Sequence, residues 1–365
     1  MSINTNLINS REEIKKIDQE DVLGSIEALA DQIKHAWEET QTLRIQLKHK
    51  PTQIVVAGMG GSALGASVVK HLFKDSLPIP LEIVNDYTLP HYVSEETFVI
   101  LSSYSGNTEE ILACAQQAEK LNAQIAVITA GGKLKEIASK QNYPIYLIDP
   151  KYNPSGQPRM AIGYAIIGLI GLLTQAKLIK LTDEEIRSAE EAVLTTMHQC
   201  TVEVGVDQNP AKSLTFALVD RKPNLIAAEF LTGAAHVASN QFNENAKTFA
   251  TYYQIPEMNH HLLESLELPK SNRLDNIFLF FTSHLYHQKN QLRMTLTQEA
   301  VEKQGCMSLA IKLKNKTKIA QVFELITLSA FTNFYLAVIN EINPSKIPMV
   351  DWFKDELKKE EAQLH

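Results

Sequence analysis

Residues 97–110, Thr-Phe-Val-Ile-Leu-Ser-Ser-Tyr-Ser-Gly-Asn-Thr-Glu-Glu, constrain the fold more than any other stretch of the chain. Thr97 to Leu101 has the apolar, β-branched and aromatic character of a buried strand. Glu109-Glu110-Ile111-Leu112-Ala113-Cys114-Ala115 reads as a helix with acidic residues in its first turn. Between them Ser102, Ser103, Ser105 and Thr108 set four aliphatic hydroxyls within seven positions, and Gly106 and Asn107 permit a sharp turn. A strand that turns this way into a helix belongs to an α/β fold. It leaves the first N–H groups of the helix, and the positive end of the helix dipole, facing out over the strand end. That arrangement is an anion site. Hydroxyls and amides hold phosphate oxygens without a permanent lysine, which suits a sugar phosphate.

A second loop upstream repeats the pattern. Ile54-Val55-Val56-Ala57 reads as a strand, and Gly58-Met59-Gly60-Gly61-Ser62-Ala63-Leu64-Gly65 turns it into a helix. Its glycines allow a ligand to approach the backbone closely. No Gly-Lys-Ser/Thr ending follows, so this is not a nucleotide phosphate loop. The overlap with the dinucleotide fingerprint is loose, and Asp75 and Glu82 are only approximate candidates for its ribose-binding acid.

The strand–helix alternation continues from Thr52 to Pro150. Strands are expected at 53–57, 81–85, 97–102, 124–129 and 144–148, with helices at 62–74, 108–121 and 133–140. That order implies a parallel sheet with helices on both faces and a ligand at the carboxyl ends of the strands. A turn-rich connector, Lys151 to Pro158, leads to an apolar helix and then a charged amphipathic one near 183–203. A second α/β unit begins near Asn209, with strands at 224–228, 248–253, 276–281 and 307–311 and helices at 230–243, 289–304 and 317–340. Leu225-Ile-Ala-Ala228 faintly echoes Ile54-Val-Val-Ala57 and is also followed by a glycine, Gly233. The expected organisation is an N-terminal helical segment (1–50), a first phosphate-binding domain (51–155), connecting helices (156–205), a second domain (206–342) and a C-terminal helix (343–365). In the N-terminal segment Asp21 or Ser25 is expected to cap a helix carrying Ile26, Leu29, Ile33 and Trp37, and these helices are expected to brace the first domain.

At 365 residues the chain is long enough for two well-buried cores. Its net charge of −7 gives no support to nucleic-acid binding, so an anionic ligand has to be drawn by local dipoles. Cys114, Cys200 and Cys306 are odd in number and far apart, which fits neither a disulfide framework nor a zinc site but does fit a reducing, cytoplasmic location. The first 50 residues lack the apolar core of a signal peptide. Ala161 to Leu173 is nearly all apolar but short for a membrane span. Its Gly163, Gly168 and Gly171 favour close helix packing, so a buried or interface helix is expected and no membrane partner.

Four places in the chain, one of them a histidine pair, could carry chemistry. Glu244 stands between Asn243 and Asn245 at a helix end. His260 and His261 follow a strand in Pro256-Glu257-Met258-Asn259, with no third residue at a helpful metal-ligand spacing. Arg159 enters the apolar helix and, if buried there, needs an anionic partner. Lys354 sits beside Trp352 and Phe353. Gly58-Met-Gly-Gly-Ser62, Ser103-Tyr-Ser-Gly-Asn-Thr-Glu109, Gly156-Gln-Pro-Arg159, Asn243-Glu-Asn-Ala-Lys247, Pro256-Glu-Met-Asn-His260 and, more weakly, Pro348 to Lys354 occur in one order over about residues 52–357. In that set the chain resembles the bifunctional phosphoglucose/phosphomannose isomerases, built from two sugar-isomerase (SIS) domains.

The resemblance implies an α/β fold of two tandem SIS domains, each a mainly parallel sheet flanked by helices as a flavodoxin-like three-layer sandwich. It implies an aldose–ketose isomerase acting on hexose 6-phosphates, with no metal or other cofactor, since the substrate's carbonyl serves as the electron sink. Gly60, Gly61 and Ser62 would approach the sugar, and Ser103, Ser105 and Thr108 would hold the phosphate. Glu244 would shuttle the proton, Arg159 would stabilise the enediolate, and His260, donated across a homodimer, would open the ring with help from Lys354. His261 stands beside His260 where the family usually has Asn, so two imidazoles compete for that role. Ile347 replaces a small polar residue before Pro348, which leaves the mannose epimer the less secure substrate. A sugar-phosphate-binding regulatory protein and an isomerase of another phosphosugar are the competing functions. The segment 282–292, with His284 and His287, has no part in this scheme.

Overall fold

The computed structural model describes residues 5–363. Residues 1–4 of the expected N-terminal segment and 364–365 of the expected C-terminal helix lie outside the described residues. Ahead of the first sheet come α1 (Arg11–Ile17), α2 (Val22–Glu27) and α3 (Leu29–Gln41). The Asp21 carboxylate caps α2 by accepting the Gly24 N–H at 3.1 Å. Ser25 lies inside α2, where its hydroxyl donates to Ser155 Oγ at 2.8 Å.

The first sheet is built from β1 (Gln53–Gly58), α4 (Gly61–Leu72), β2 (Leu81–Val84), β3 (Thr97–Ser102), α5 (Glu109–Lys120), β4 (Gln124–Thr129), α6 (Gly132–Gln141) and β5 (Ile145–Leu147). All its strands are parallel, in the order β2-β1-β3-β4-β5. The chain winds outward in both directions from β1 and β3, so a crevice opens between their carboxyl ends. The register Gly58↔Ser102 brings the glycine-rich loop and the hydroxyl-rich loop to that same point.

Next come α7 (Ile162–Gln175), α8 (Asp183–Cys200) and α9 (Pro210–Leu218). α7 is the apolar helix of the sequence and is buried. A Cβ at Gly163 would lie 2.7 Å from Gln32 Cβ, and one at Gly171 would lie 2.2 Å from Thr40 Oγ1, so these glycines let α3 close on α7. α9 is absent from the sequence reading. Its signal is Asn209-Pro210: the Asn209 side chain accepts the Lys212 N–H at 3.0 Å, and Pro210 occupies the first helical turn.

The second sheet follows with β6 (Lys222–Ala228), α10 (Thr232–Glu244), β7 (Thr251–Ile255), α11 (Asn272–Asp275), β8 (Asn276–Thr282), α12 (Gln288–Lys303) and β9 (Met307–Lys312). Its order β7-β6-β8-β9 is again all parallel and repeats the first four positions of the first sheet, which gives the echo at 225–228 its structural meaning. β7 begins at Thr251 rather than 248. The Asn243 side chain takes both backbone groups of Ala250, at 2.9 and 3.1 Å, and so removes that residue from the ladder. The chain ends with α13 (Lys318–Ile339) and α14 (Pro348–Gln363).

By length and composition α13 could cross a membrane, but it is buried along most of its length as a core helix. The N-terminal segment divides between two supports. Leu29, Ile33 and Trp37 join the core that spans both sheets, whereas Ile8, Ile14, Val22, Leu23 and Ile26 pack with Phe331, Phe334 and Tyr335 of α13. The two halves meet closely where a Cβ at Gly233 of α10 would lie 2.5 Å from Ser67 O of α4.

Candidate active site

The two loops at the first crevice are tied to each other. Ser62 Oγ accepts the Tyr104 N–H at 3.0 Å, and Ser102 Oγ donates to Ser62 O at 3.2 Å. Ser103 Oγ meets Thr108 Oγ1 at 2.8 Å and accepts the Gly106 N–H at 3.1 Å, while Ser105 Oγ accepts the Asn107 N–H at 3.3 Å. Gly106 has φ of +68°, and a Cβ there would lie 1.8 Å from Gly131 O, so no other residue fits this turn. Thr108 precedes α5 but turns its hydroxyl to Ser103 and does not cap the helix. Among the described residues the N–H groups of the first turn of α5 therefore keep no protein acceptor beside a cluster of hydroxyls.

The matching place in the second sheet is already taken. Glu229, directly after β6, accepts the His287 N–H at 2.8 Å and the Asn290 amide at 2.7 Å at the start of α12. The Tyr286 hydroxyl accepts the Ala228 N–H and donates to Phe281 O, both at 3.1 Å. The protein's own carboxylate and phenol thus occupy the second crevice, and the His284–His287 segment serves that closure.

From the open crevice the contacts run on to the candidate catalytic groups. A Cβ at Gly61 would lie 3.0 Å from the backbone of Pro158 and Arg159, so the first loop abuts the turn that carries the arginine. Gly60, with φ of +47°, has nothing within 4 Å of its missing Cβ and faces open space. The Arg159 side chain is 2% exposed. Its Nε donates to Asn245 Oδ1 at 2.5 Å and its Nη2 to Pro344 O and Ser345 O, both at 2.8 Å. Its Nη1 donates to Gln157 Oε1 at 3.0 Å and to Glu244 Oε2 at 3.4 Å. All five guanidinium donors have acceptors. Burial pulls the Arg159 pKa below its ordinary value, and the Glu244 carboxylate opposes that shift.

Glu244 is the anionic partner that a buried arginine at 159 requires. It is the last residue of α10, and its side chain keeps 30% of its surface exposed, so it is anchored yet reachable. Asn245 behind it is buried, and its amide donates to Asn333 Oδ1 at 2.9 Å. Gln241 holds the Arg159 carbonyl at 3.1 Å. Asn333 and the Pro344–Ser345 carbonyls were not singled out in the sequence. The available signal for Asn333 was its place with Ser329 and Thr332 in the largely apolar second half of α13.

Two sequence candidates stay apart from this centre in the single chain. His260 closes the turn after β7 and is exposed, as is His261. The turn itself is fixed: Met258 is buried, and Asn259 bonds Thr297 Oγ1 at 2.7 Å and Arg293 Nη1 at 3.1 Å. Lys354 is exposed on α14, whose Met349, Trp352 and Phe353 are likewise exposed. Among the described residues no hydrogen bond or ion pair joins His260 or Lys354 to Arg159 or Glu244. The three cysteines are buried and unpaired.

Known proteins share this architecture. Residues 46–166 match the SIS domain family, and residues 207–357 match the family described as bacterial phospho-glucose isomerase C-terminal SIS domain. A solved hypothetical protein from Thermus thermophilus superimposes with a TM-score of 0.74 over 98% of this chain and 95% of that one, at 17% identity, which is a likeness of fold. A bifunctional phosphoglucose/phosphomannose isomerase from Thermoplasma volcanium is 28% identical over 331 residues, 88% of this chain and 98% of that protein. One of the same name from Caldicellulosiruptor bescii is 32% identical over 343 residues, 91% of this chain and 98% of that protein. Its length is thus matched almost throughout, and this chain belongs to the bifunctional phosphoglucose/phosphomannose isomerase family.

Proposed function

We propose that the chain interconverts glucose 6-phosphate, and mannose 6-phosphate, with fructose 6-phosphate by moving a proton between C2 and C1. The phosphate sits on the free N–H groups of α5 and the hydroxyls of Ser103, Ser105 and Thr108, and Gly60, Gly61 and Ser62 line the sugar. Holding the phosphate remotely orients the reacting carbons. Glu244 removes the C2 proton of the open-chain aldose, and the C2–H electron pair forms the C1–C2 double bond of an enediolate. The O2 hydroxyl proton passes to O1, the O2–H electron pair forms the C2 carbonyl, and return of the carbon-bound proton from Glu244 to C1 gives the ketose.

The Arg159–Glu244 pair carries this reading. When Glu244 takes the proton it becomes neutral, and one negative charge moves to the enediolate oxygen. Arg159 stays beside a single negative charge throughout, so little reorganisation is needed at the transition state. His260 of the partner subunit and Lys354 open the ring, which makes a homodimer the working unit. A binding-only sensor needs the hydroxyl cradle but has no use for a buried arginine aimed at an accessible carboxylate.

The test is a coupled assay with fructose 6-phosphate. Glu244→Gln is expected to lose turnover by roughly 10²–10⁴-fold while fructose 6-phosphate still binds. Wild-type turnover in that variant would remove the assigned base.

A further inference from the structure

Lys247 has no task in the scheme above, yet its ammonium reaches into the centre from behind. Its Nζ donates to Asn343 O at 2.8 Å and to Asn245 O at 3.2 Å, with Pro344 O at 3.5 Å. Asn245 supplies the acceptor for Arg159 Nε, and Pro344 supplies one for Nη2. Lys247 therefore ties together the two segments that orient the guanidinium. Its backbone φ of +50° lies in the left-handed region, which a non-glycine residue enters at a cost, so the turn after α10 is held in the shape that returns this side chain to Asn245. On the far side of the 343–346 loop, Glu20 accepts from Asn343 Nδ2 at 2.9 Å and pairs with Lys346.

We propose that Lys247 is a positioning residue for the isomerisation: it fixes the Asn245, Asn343 and Pro344 carbonyls, and through these segments the direction in which Arg159 presents Nη1 to Glu244. This rests on the isomerase reading above. Because every Arg159 donor is engaged, the guanidinium lies wherever its acceptors lie. A drift of about 1 Å in such a group costs up to roughly 10²-fold in rate. Burial and the nearby Arg159 push the Lys247 pKa down to about 8, and Glu244 opposes the shift. The charged groups around it are Arg159 from the turn before α7, Glu244 from α10, and Glu20 and Lys346 about the 343–346 loop. Below that pKa the ammonium offers three donors. Above it the neutral amine holds the carbonyls less firmly, so kcat falls on the alkaline side.

The experiment is steady-state kinetics on fructose 6-phosphate from pH 6.5 to 9.5, with unfolding curves for each protein. Lys247→Met is expected to lower kcat about tenfold, with KM within about twofold because the hydroxyl cradle is untouched. Lys247→Arg is expected to restore kcat and move the alkaline fall to higher pH, since an arginine keeps its proton. A folded Lys247→Met with wild-type kcat overturns the proposal, and so does Lys247→Arg with the wild-type pH profile. If Lys247→Met does not fold, the Lys247→Arg profile decides. A wild type inactive on all three hexose 6-phosphates is a different result and removes the isomerase reading itself.

Discussion

Arg159 is held at all five donors, and that sets what its replacement does. A lysine offers three donors from one point and cannot span Asn245, Gln157, Glu244, Pro344 and Ser345. Arg159→Lys therefore leaves buried acceptors without a donor. It is expected to destabilise the fold by about 2–4 kcal/mol, read as a lower urea midpoint at unchanged slope, together with loss of turnover. An unshifted midpoint would mean the guanidinium is not the joint its contacts describe. The local sequence left Arg159 either buried or solvated. Gly156-Gln157-Pro158 before it and an apolar run after it say nothing of its partner, because Glu244 is 85 positions away. Glu244 is equally opaque alone, since only the tertiary contact distinguishes it from a surface carboxylate.

At the scale of elements, strands and helices were legible because the chemistry that sets them lies within a few residues. Apolar runs, acidic first turns and Gly-Asn turns need no distant partner. The start of β7 was displaced by a side chain from the preceding helix, Asn243, which periodicity does not register. The α4–α10 joint, likewise made by distant elements, carries a pH dependence. His71 Nδ1 bonds Ser67 O at 2.7 Å, and His236 Nδ1 bonds Ser67 Oγ at 3.2 Å and stacks on Tyr252 with ring centres 4.5 Å apart. Burial lowers the pKa of both imidazoles. Lys70 and Lys74 add to the effect at His71, and His71 adds to it at His236. The folded chain thus prefers them neutral, whereas the unfolded chain takes up protons at the ordinary histidine value. Their contribution is intact above about pH 6.5 and is lost as pH falls below it. Urea unfolding at pH 7.5 and pH 5 is expected to show a smaller acid loss in the double variant His71→Gln/His236→Asn than in wild type. An equal loss in both would place the acid sensitivity elsewhere.

For the whole molecule, one chain brings the Gly61 loop against the Arg159 turn and Arg159 against Glu244, while His260 and Lys354 stand exposed. Under the proposed homodimer, a 1:1 mixture of inactive Glu244→Gln and His260→Ala chains forms heterodimers with one intact site each. Activity is expected to recover to about a quarter of wild type after subunit exchange. No recovery would place His260 and Glu244 in the same chain's site. The amino-acid order alone determined the βα alternation, a faint echo of the first unit in the second, and a hydroxyl turn able to hold an anion, because periodicity and turn chemistry act between neighbours in the chain. Only the tertiary structure decided which crevice stays open and which is closed by Glu229, and that Arg159, Glu244 and the 343–345 carbonyls converge. Those outcomes depend on groups far apart in sequence whose burial forces them to satisfy one another.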